Sequence, residues 1–215
     1  MMLVAALMVM LLVSALGAAL ILITSSETTI AANFRDNLGA LYAADAAAEQ
    51  VLAELANVAD WDHVLNGSVR SAFVDGPPGG TRLVSGTPVD LRQIVALASC
   101  HKPTTCSESE MDAVTAERPW GANNPRWQLY AYGWLENAVT GAESPYYVLV
   151  LVGDDPSESD NDPLADGGGP DNPGAGALLL RAQAFGPRNA HKTIEIAIAR
   201  TGEGRVRLLS WRELR

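Results

Sequence analysis

The start of this chain lacks charged residues, and no proline occurs before Pro77. The first charged side chain is that of Glu27, and residues 3–23 form an uninterrupted apolar run. About 20 apolar residues at 1.5 Å each span a hydrocarbon core of about 30 Å. A backbone in lipid must satisfy its own hydrogen bonds. The sequence therefore predicts a membrane-spanning helix.

Two other interpretations of the apolar run compete with a membrane span. A cleaved secretory signal would use Ala15-Leu16-Gly17 as its small-residue site. Signal h-regions are roughly 7–15 residues long and follow a basic segment, whereas this run is longer and no Lys or Arg precedes it. A buried core helix is less consistent, because both the length of the run and its lack of charge oppose it.

The helical pattern continues beyond the apolar run. Large apolar residues recur at spacings of three and four, and alanines between them favour helix. We expect one stalk over residues 1–57, with any bend at Gly17 or Gly39. The apolar positions that define the pattern are Ile30, Phe34, Leu38, Leu41, Tyr42, Val51, Leu52 and Leu55.

Motifs of common enzymes and of nucleic-acid binding are missing. His63, His101 and His191 are dispersed without an HExxH neighbour, and the chain has neither a G-x-S-x-G elbow nor a phosphate-binding P-loop. A net charge of -10 and a pI near 4.7 oppose nucleic acid as a partner. We expect no enzymatic activity.

Cysteine is rare, with only Cys100 and Cys106 in SCHKPTTCS. In an exported head this spacing predicts one disulfide that closes a short loop. The alternative is a metal site with His101, which is weakly supported because two cysteines and one histidine leave the ligand set incomplete.

Residues 58–215 have the pattern of an α+β head. Residues 89–98 predict a short helix, and 62–86 a strand-and-loop insert. Apolar or alternating runs separated by turn residues then predict an antiparallel sheet, whose apolar face should pack on the C-terminal half of the stalk. The predicted strands are 127–135, 146–152, 177–185, 191–199 and 205–211.

An acidic, glycine-rich loop occupies residues 154–174 and contains no Lys or Arg. Hard oxygen ligands on such a segment suit Ca²⁺, although the spacing is not that of an EF-hand. The alternative is a solvated acidic loop. The candidate calcium ligands are Asp154, Asp155, Glu158, Asp160 and Asp162.

The residues that follow the apolar run resemble a family signature. The segment has a Ser/Thr-Glu step, an Ala-Ala-Asn-x-Arg-Asp element and an alanine-rich block related to the pattern Ala-x-x-Ala-Asp/Glu-Ala-Ala. These features resemble the N-terminus of PilX-like minor pilins of type IV pilus systems. The matching residues are Ser25, Ser26, Glu27, Ile30, Ala31, Ala32, Asn33, Arg35, Asp36, Ala40, Ala43, Ala44, Asp45 and Ala46. The match covers residues 3 to 55, and Ala5 stands where many mature pilins carry a glutamate.

The resemblance implies a pilin-like architecture, in which a long N-terminal helix packs on an antiparallel sheet. It implies a single-pass inner-membrane protein with its head in the periplasm, which becomes extracellular in the assembled pilus. Other pilin subunits would be partners through the N-terminal helix. Head loops of some pilins hold Ca²⁺, which would suit the acidic loop.

Other functions fit the same sequence features. A pseudopilin of a type II secretion system would share the architecture. A membrane-anchored, calcium-dependent binding module would share the anchor and the acidic loop without forming a filament. An anchored hydrolase is a further alternative, for which no motif is present.

Overall fold

The computed structural model describes residues 2–116, 125–136, 141, 143–156, 162–167, 176–201 and 205–214. In chain order the elements are α1 (Met2–Leu55), α2 (Asp62–Leu65), β1 (Thr81–Val84), β2 (Thr87–Asp90), α3 (Leu91–Cys100), α4 (Glu108–Ala116), β3 (Gln128–Glu136), β4 (Glu143–Asp154), β5 (Ala177–Phe185), β6 (His191–Arg200) and β7 (Val206–Leu214). A 3₁₀ turn, Pro187–Asn189, connects β5 to β6.

The first element is one continuous helix of 54 residues, which corresponds to about 80 Å. It passes through Gly17 and Gly39 without a break, so neither glycine bends the stalk. Residues 2–31 are all exposed. The helix has the length and composition required of a membrane anchor, criteria that a signal sequence also meets.

The predicted antiparallel sheet is present and has five strands in the order β3-β4-β5-β6-β7. Each strand pairs with its neighbour along the chain, so the connections are local. The strand predicted at 177–185 has the observed bounds, and the others differ by one to three residues at their ends. The α+β layout is confirmed.

Both faces of the sheet are covered at β4. On one face, Val148, Val150 and Val152 of β4 pack with the C-terminal half of α1. On the opposite face, Leu149 and Leu151 pack with the β1–β2 hairpin and α3. A strand that is buried on both faces needs apolar residues at every position, which explains the continuous run in β4.

The segment between the stalk and the sheet differs from its prediction. The short helix begins at Leu91 instead of residue 89, because the Asp90 carboxylate caps it by accepting hydrogen bonds from the backbone N–H groups of Arg92 and Gln93 at 2.9 and 3.2 Å. Residues 87–90 form β2 instead. Helix α4 was not predicted.

Candidate functional site

The most tightly built part of the protein is the junction between α1 and the head. The helix presents small side chains to strands β4, β5 and β6. The buried residues on this face are Asp36, Ala40, Ala43, Ala44, Ala47, Ala48, Val51 and Leu55. An alanine surface lets the helix backbone approach the sheet closely, so the stalk is fixed along five of its turns.

The sheet packs on the C-terminal half of the stalk, as predicted, but several large residues of the apolar pattern are not part of this contact. Ile30, Phe34 and Tyr42 define the apolar stripe in the sequence, yet their side chains are 65%, 70% and 65% exposed. The head packs on the alanines together with Val51 and Leu55 of the same pattern, which are 1% and 0% exposed. We call Ile30, Phe34, Leu38 and Tyr42 the outer stripe, whose side chains are 38–70% exposed.

Tyr146 holds α1 against the sheet at Gly39. A Cβ atom at Gly39 would lie 2.6 Å from Tyr146 Cζ, and one at Gly186 would lie 2.5 Å from Tyr146 Cδ1. The ring therefore fills a slot between two glycines, one on the helix and one after β5. Its hydroxyl donates to the carbonyl oxygen of Asp36 at 3.4 Å, and burial, with the nearby Asp36 charge, raises the pKa of Tyr146.

An ion pair locks the same junction. Asp36 is 4% exposed, and its carboxylate pairs with the guanidinium of Arg188 in the turn after β5. Arg188 also donates to the carbonyl oxygen of Ala32 at 3.5 Å. Arg188 and Asn189 adopt positive φ values of 53° and 60°, which aim the turn at the helix. Removing Arg188 would leave the buried Asp36 carboxylate without this partner, which is costly, whereas Arg188 itself is half-exposed.

A second polar contact joins α1 to the last strand. The indole Nε1 of Trp211 in β7 donates to Asp45 Oδ1 at 3.0 Å. Asp36 and Asp45, the two acidic residues of the Arg-Asp and Ala-Asp signature elements, therefore both bind side chains of the head. These two positions therefore attach the stalk helix to the head.

The cysteines are joined as expected. Cys100 ends α3 and is disulfide-bonded to Cys106, with Cα atoms 6.2 Å apart. His101 lies between them in a left-handed conformation at the end of α3. The bridge fixes the connection from α3 to α4.

The candidate calcium ligands are only partly described. Asp154 is buried at the end of β4, Asp155 is half-buried, and Asp162 accepts a hydrogen bond from the backbone N–H of Leu164 at 3.1 Å. Glu158 and Asp160 lie outside the described residues. Within the described ranges, no group of three His, Cys, Asp or Glu side chains is placed to hold a metal. Calcium binding by the full set stays a prediction.

Another acidic residue of this loop has a defined environment. The Asp166 backbone N–H donates to Asp62 Oδ1 at 2.7 Å, and the Gly176 N–H donates to Asp166 Oδ1 at 2.7 Å. Burial, with the Asp62 and Asp60 charges nearby, raises the pKa of Asp166 to about 6. The loop is thereby tied to α2, a contact that sequence analysis missed.

The histidines remain separate in the structure. His191 stacks on Phe185 with ring centroids 4.5 Å apart, and burial lowers its pKa. His63 lies 3.9 Å from an Asp60 carboxylate oxygen, and His101 is in the disulfide loop. The expectation that the chain is not an enzyme stays a prediction.

Comparison with known proteins adds no relative. No family model, curated protein or solved structure matches the chain. The family resemblance therefore rests on the signature residues alone, and the function has to be argued from the geometry of the helix and its junction with the head.

Proposed function

We propose that this chain is a structural, PilX-like minor pilin subunit of a type IV pilus. Before assembly it is an anchored monomer in the inner membrane with its head in the periplasm. It is then incorporated into the filament. The observation that carries this proposal is the division of α1, whose residues 2–31 are bare while its C-terminal half is clamped to the sheet.

We call the exposed residues 2–31 the bare half of α1. This segment can be surrounded by lipid in the membrane or by other helices in a filament. Its residues 3–23 are apolar around the helix, and they include small residues at Ala5, Ala15, Gly17 and Ala18. Small residues let helices approach closely in an apolar environment. In a filament the helices would pack on one another instead of on lipid.

The outer stripe supports a protein partner in addition to lipid. Phe34 follows Ile23, the end of the apolar run, by 11 positions, which places it about 17 Å along the helix axis. A bilayer that covers residues 3–23 would leave Phe34 in water. Burial of apolar area contributes about 25 cal/mol per Å², so contact with a neighbouring subunit would stabilise the assembled form.

Site-specific photo-cross-linking in the producing cells tests this arrangement. A photoreactive residue at Phe34 should give adducts with other subunits in filaments sheared from the surface. The matched control is Ala44, ten residues further along the same helix and fully buried against the sheet, which should give no intermolecular adduct.

Two results would contradict the proposal. One is an absence of protein adducts at Phe34 in cells that assemble filaments. The other is equal intermolecular cross-linking from Phe34 and Ala44, because the head would then not be clamped on α1 as the structure shows.

A further inference from the structure

A cavity of about 280 Å³ lies on the head. Its lining residues lie between Arg70 and Leu129 in the sequence, after the outer stripe. Helices α3 and α4, the start of β3 and the disulfide loop enclose it. Val95, Ala96, Met111 and Leu129 supply apolar walls, and Cys106 places the disulfide at its margin. A concave, mostly apolar site with a few polar groups is the usual form of a small-molecule pocket.

Two arginines line this cavity, and both are exposed. Neither Arg70 nor Arg92 donates a hydrogen bond or forms an ion pair with any described residue. Two other arginines of the head do form ion pairs, Arg82 with Asp75 at 3.0 Å and Arg126 with Asp112 at 3.1 Å. In a chain with a net charge of -10, this apolar cavity thus carries two cations that have no ion-pair partner among the described residues.

The backbone around the cavity makes room for one of these guanidinium groups. A Cβ atom at Gly79 would lie 2.8 Å from Arg92 Nη2 and 3.0 Å from its Cζ. The guanidinium therefore rests directly on the glycine backbone beside Pro78. This contact sets one side of the Arg92 guanidinium against the protein, while the side chain as a whole is exposed and accessible to a ligand.

We propose that this cavity binds a small organic anion, with its oxyanion group between Arg70 and Arg92 and its apolar body against Val95 and Leu129. Planar guanidinium groups bind carboxylate and phosphate oxygens in a bidentate manner. Its volume of about 280 Å³ lies just below the range of about 300–1,000 Å³ that is usual for ligand pockets, so we expect a small ligand. Anion binding at this cavity does not depend on filament assembly. A negative result for the cavity would therefore leave the proposed function untouched, and the reverse also holds.

Ligand-observed NMR titration of the full chain in detergent micelles tests the site. The probes are benzoate, its neutral isostere benzamide, and inorganic phosphate, which separates charge recognition from binding of the apolar body. Benzoate should bind about tenfold more tightly than benzamide, because hydrogen bonds to charged groups exceed neutral ones by that order. Phosphate should compete with benzoate but bind more weakly.

The variant that tests the two cations is Arg70→Gln with Arg92→Gln. It should weaken benzoate binding about tenfold and leave benzamide unchanged. Arg207→Gln is the matched control, since Arg207 is an exposed arginine of β7 that does not line the cavity. The melting temperature of each variant reports folding, and the two single variants replace the double one if it unfolds.

The proposal is overturned if benzoate and benzamide bind equally. It is also overturned if the Arg207→Gln control loses as much benzoate affinity as the variants at Arg70 and Arg92, because binding would then reflect overall charge. Unchanged benzoate binding in the single variants would place the anion elsewhere.

Discussion

Replacing Gly39 by alanine should destabilise the head, although the same change stabilises most helices. Glycine in a helix interior costs about 1 kcal/mol relative to alanine, so propensity alone predicts a gain. At Gly39, however, the new Cβ would lie 2.6 Å from Tyr146 Cζ. The ring cannot retreat freely, because Gly186 lies against its other side.

The magnitude follows from the balance of these two effects. Overpacking of a filled site costs about 1–3 kcal/mol, and the two-sided contact places Gly39 towards the upper end. After subtraction of the propensity gain, the net loss is about 1–2 kcal/mol. For a head of this size the melting temperature should fall by about 2–8 °C.

The assay is thermal unfolding of the full chain in detergent, followed by near-ultraviolet circular dichroism of the head. Gly17→Ala is the matched control, because nothing lies within 4 Å of a Cβ at that position, and it should leave the transition of the head unchanged. Tyr146→Leu should remove the penalty of Gly39→Ala, with a coupling energy of about 1–3 kcal/mol. A rise in melting temperature for Gly39→Ala would refute the packing role of this glycine.

Three further predictions concern the loops of the head. The pKa of Asp166 is raised from 3.8 to about 6, so the folded state binds this proton more tightly than the unfolded chain. Stability should therefore fall as pH rises from about 4 to about 6, and Asp166→Asn should flatten that window in pH-dependent denaturation. Replacing Cys100 and Cys106 by serine should cost about 2 kcal/mol and lower the melting temperature by about 4–8 °C, and reductant should then have no further effect. Calcium should raise the melting temperature of the head, and Asp160→Asn with Asp162→Asn should abolish that response. If calcium leaves the wild-type melting curve unchanged, the loop does not bind calcium.

Local patterns in the sequence predict much of the fold. The apolar run and the absence of proline predict α1, and the turn residues between apolar runs predict five strands in their observed order. Helix α4 was also predictable. Ser107 and Glu110 form a capping box, in which the Ser107 N–H donates to Glu110 Oε2 at 2.9 Å and the Glu110 N–H donates to Ser107 Oγ at 3.4 Å.

The junction could not be predicted, because its contacts join residues far apart in the chain. Asp36 pairs with Arg188, and Tyr146 fills the slot at Gly39. Periodicity identifies the face with large apolar residues, which one expects to be buried. Here the head occupies the alanine face, where the backbones approach closely, and the large residues of the outer stripe remain exposed.

The sequence predicts only part of the candidate site, because some of its contacts also join residues that are far apart in the chain. Spacing suffices for a disulfide between Cys100 and Cys106, since a short loop brings the sulfurs together. Composition alone singles out the acidic loop but does not reveal that Asp166 contacts Asp62. The paired arginines of the cavity come from the segment after α2 and from α3, so only the tertiary structure brings Arg70 and Arg92 to one surface.

The most direct test of the filament proposal is mass spectrometry of filaments sheared from the producing cells and purified away from membranes. We expect peptides from both α1 and the head of this chain in the filament fraction, at lower abundance than the major subunit. If the chain stays entirely in the inner-membrane fraction while filaments form normally, it is not a filament subunit, and the bare half of α1 serves only as an anchor.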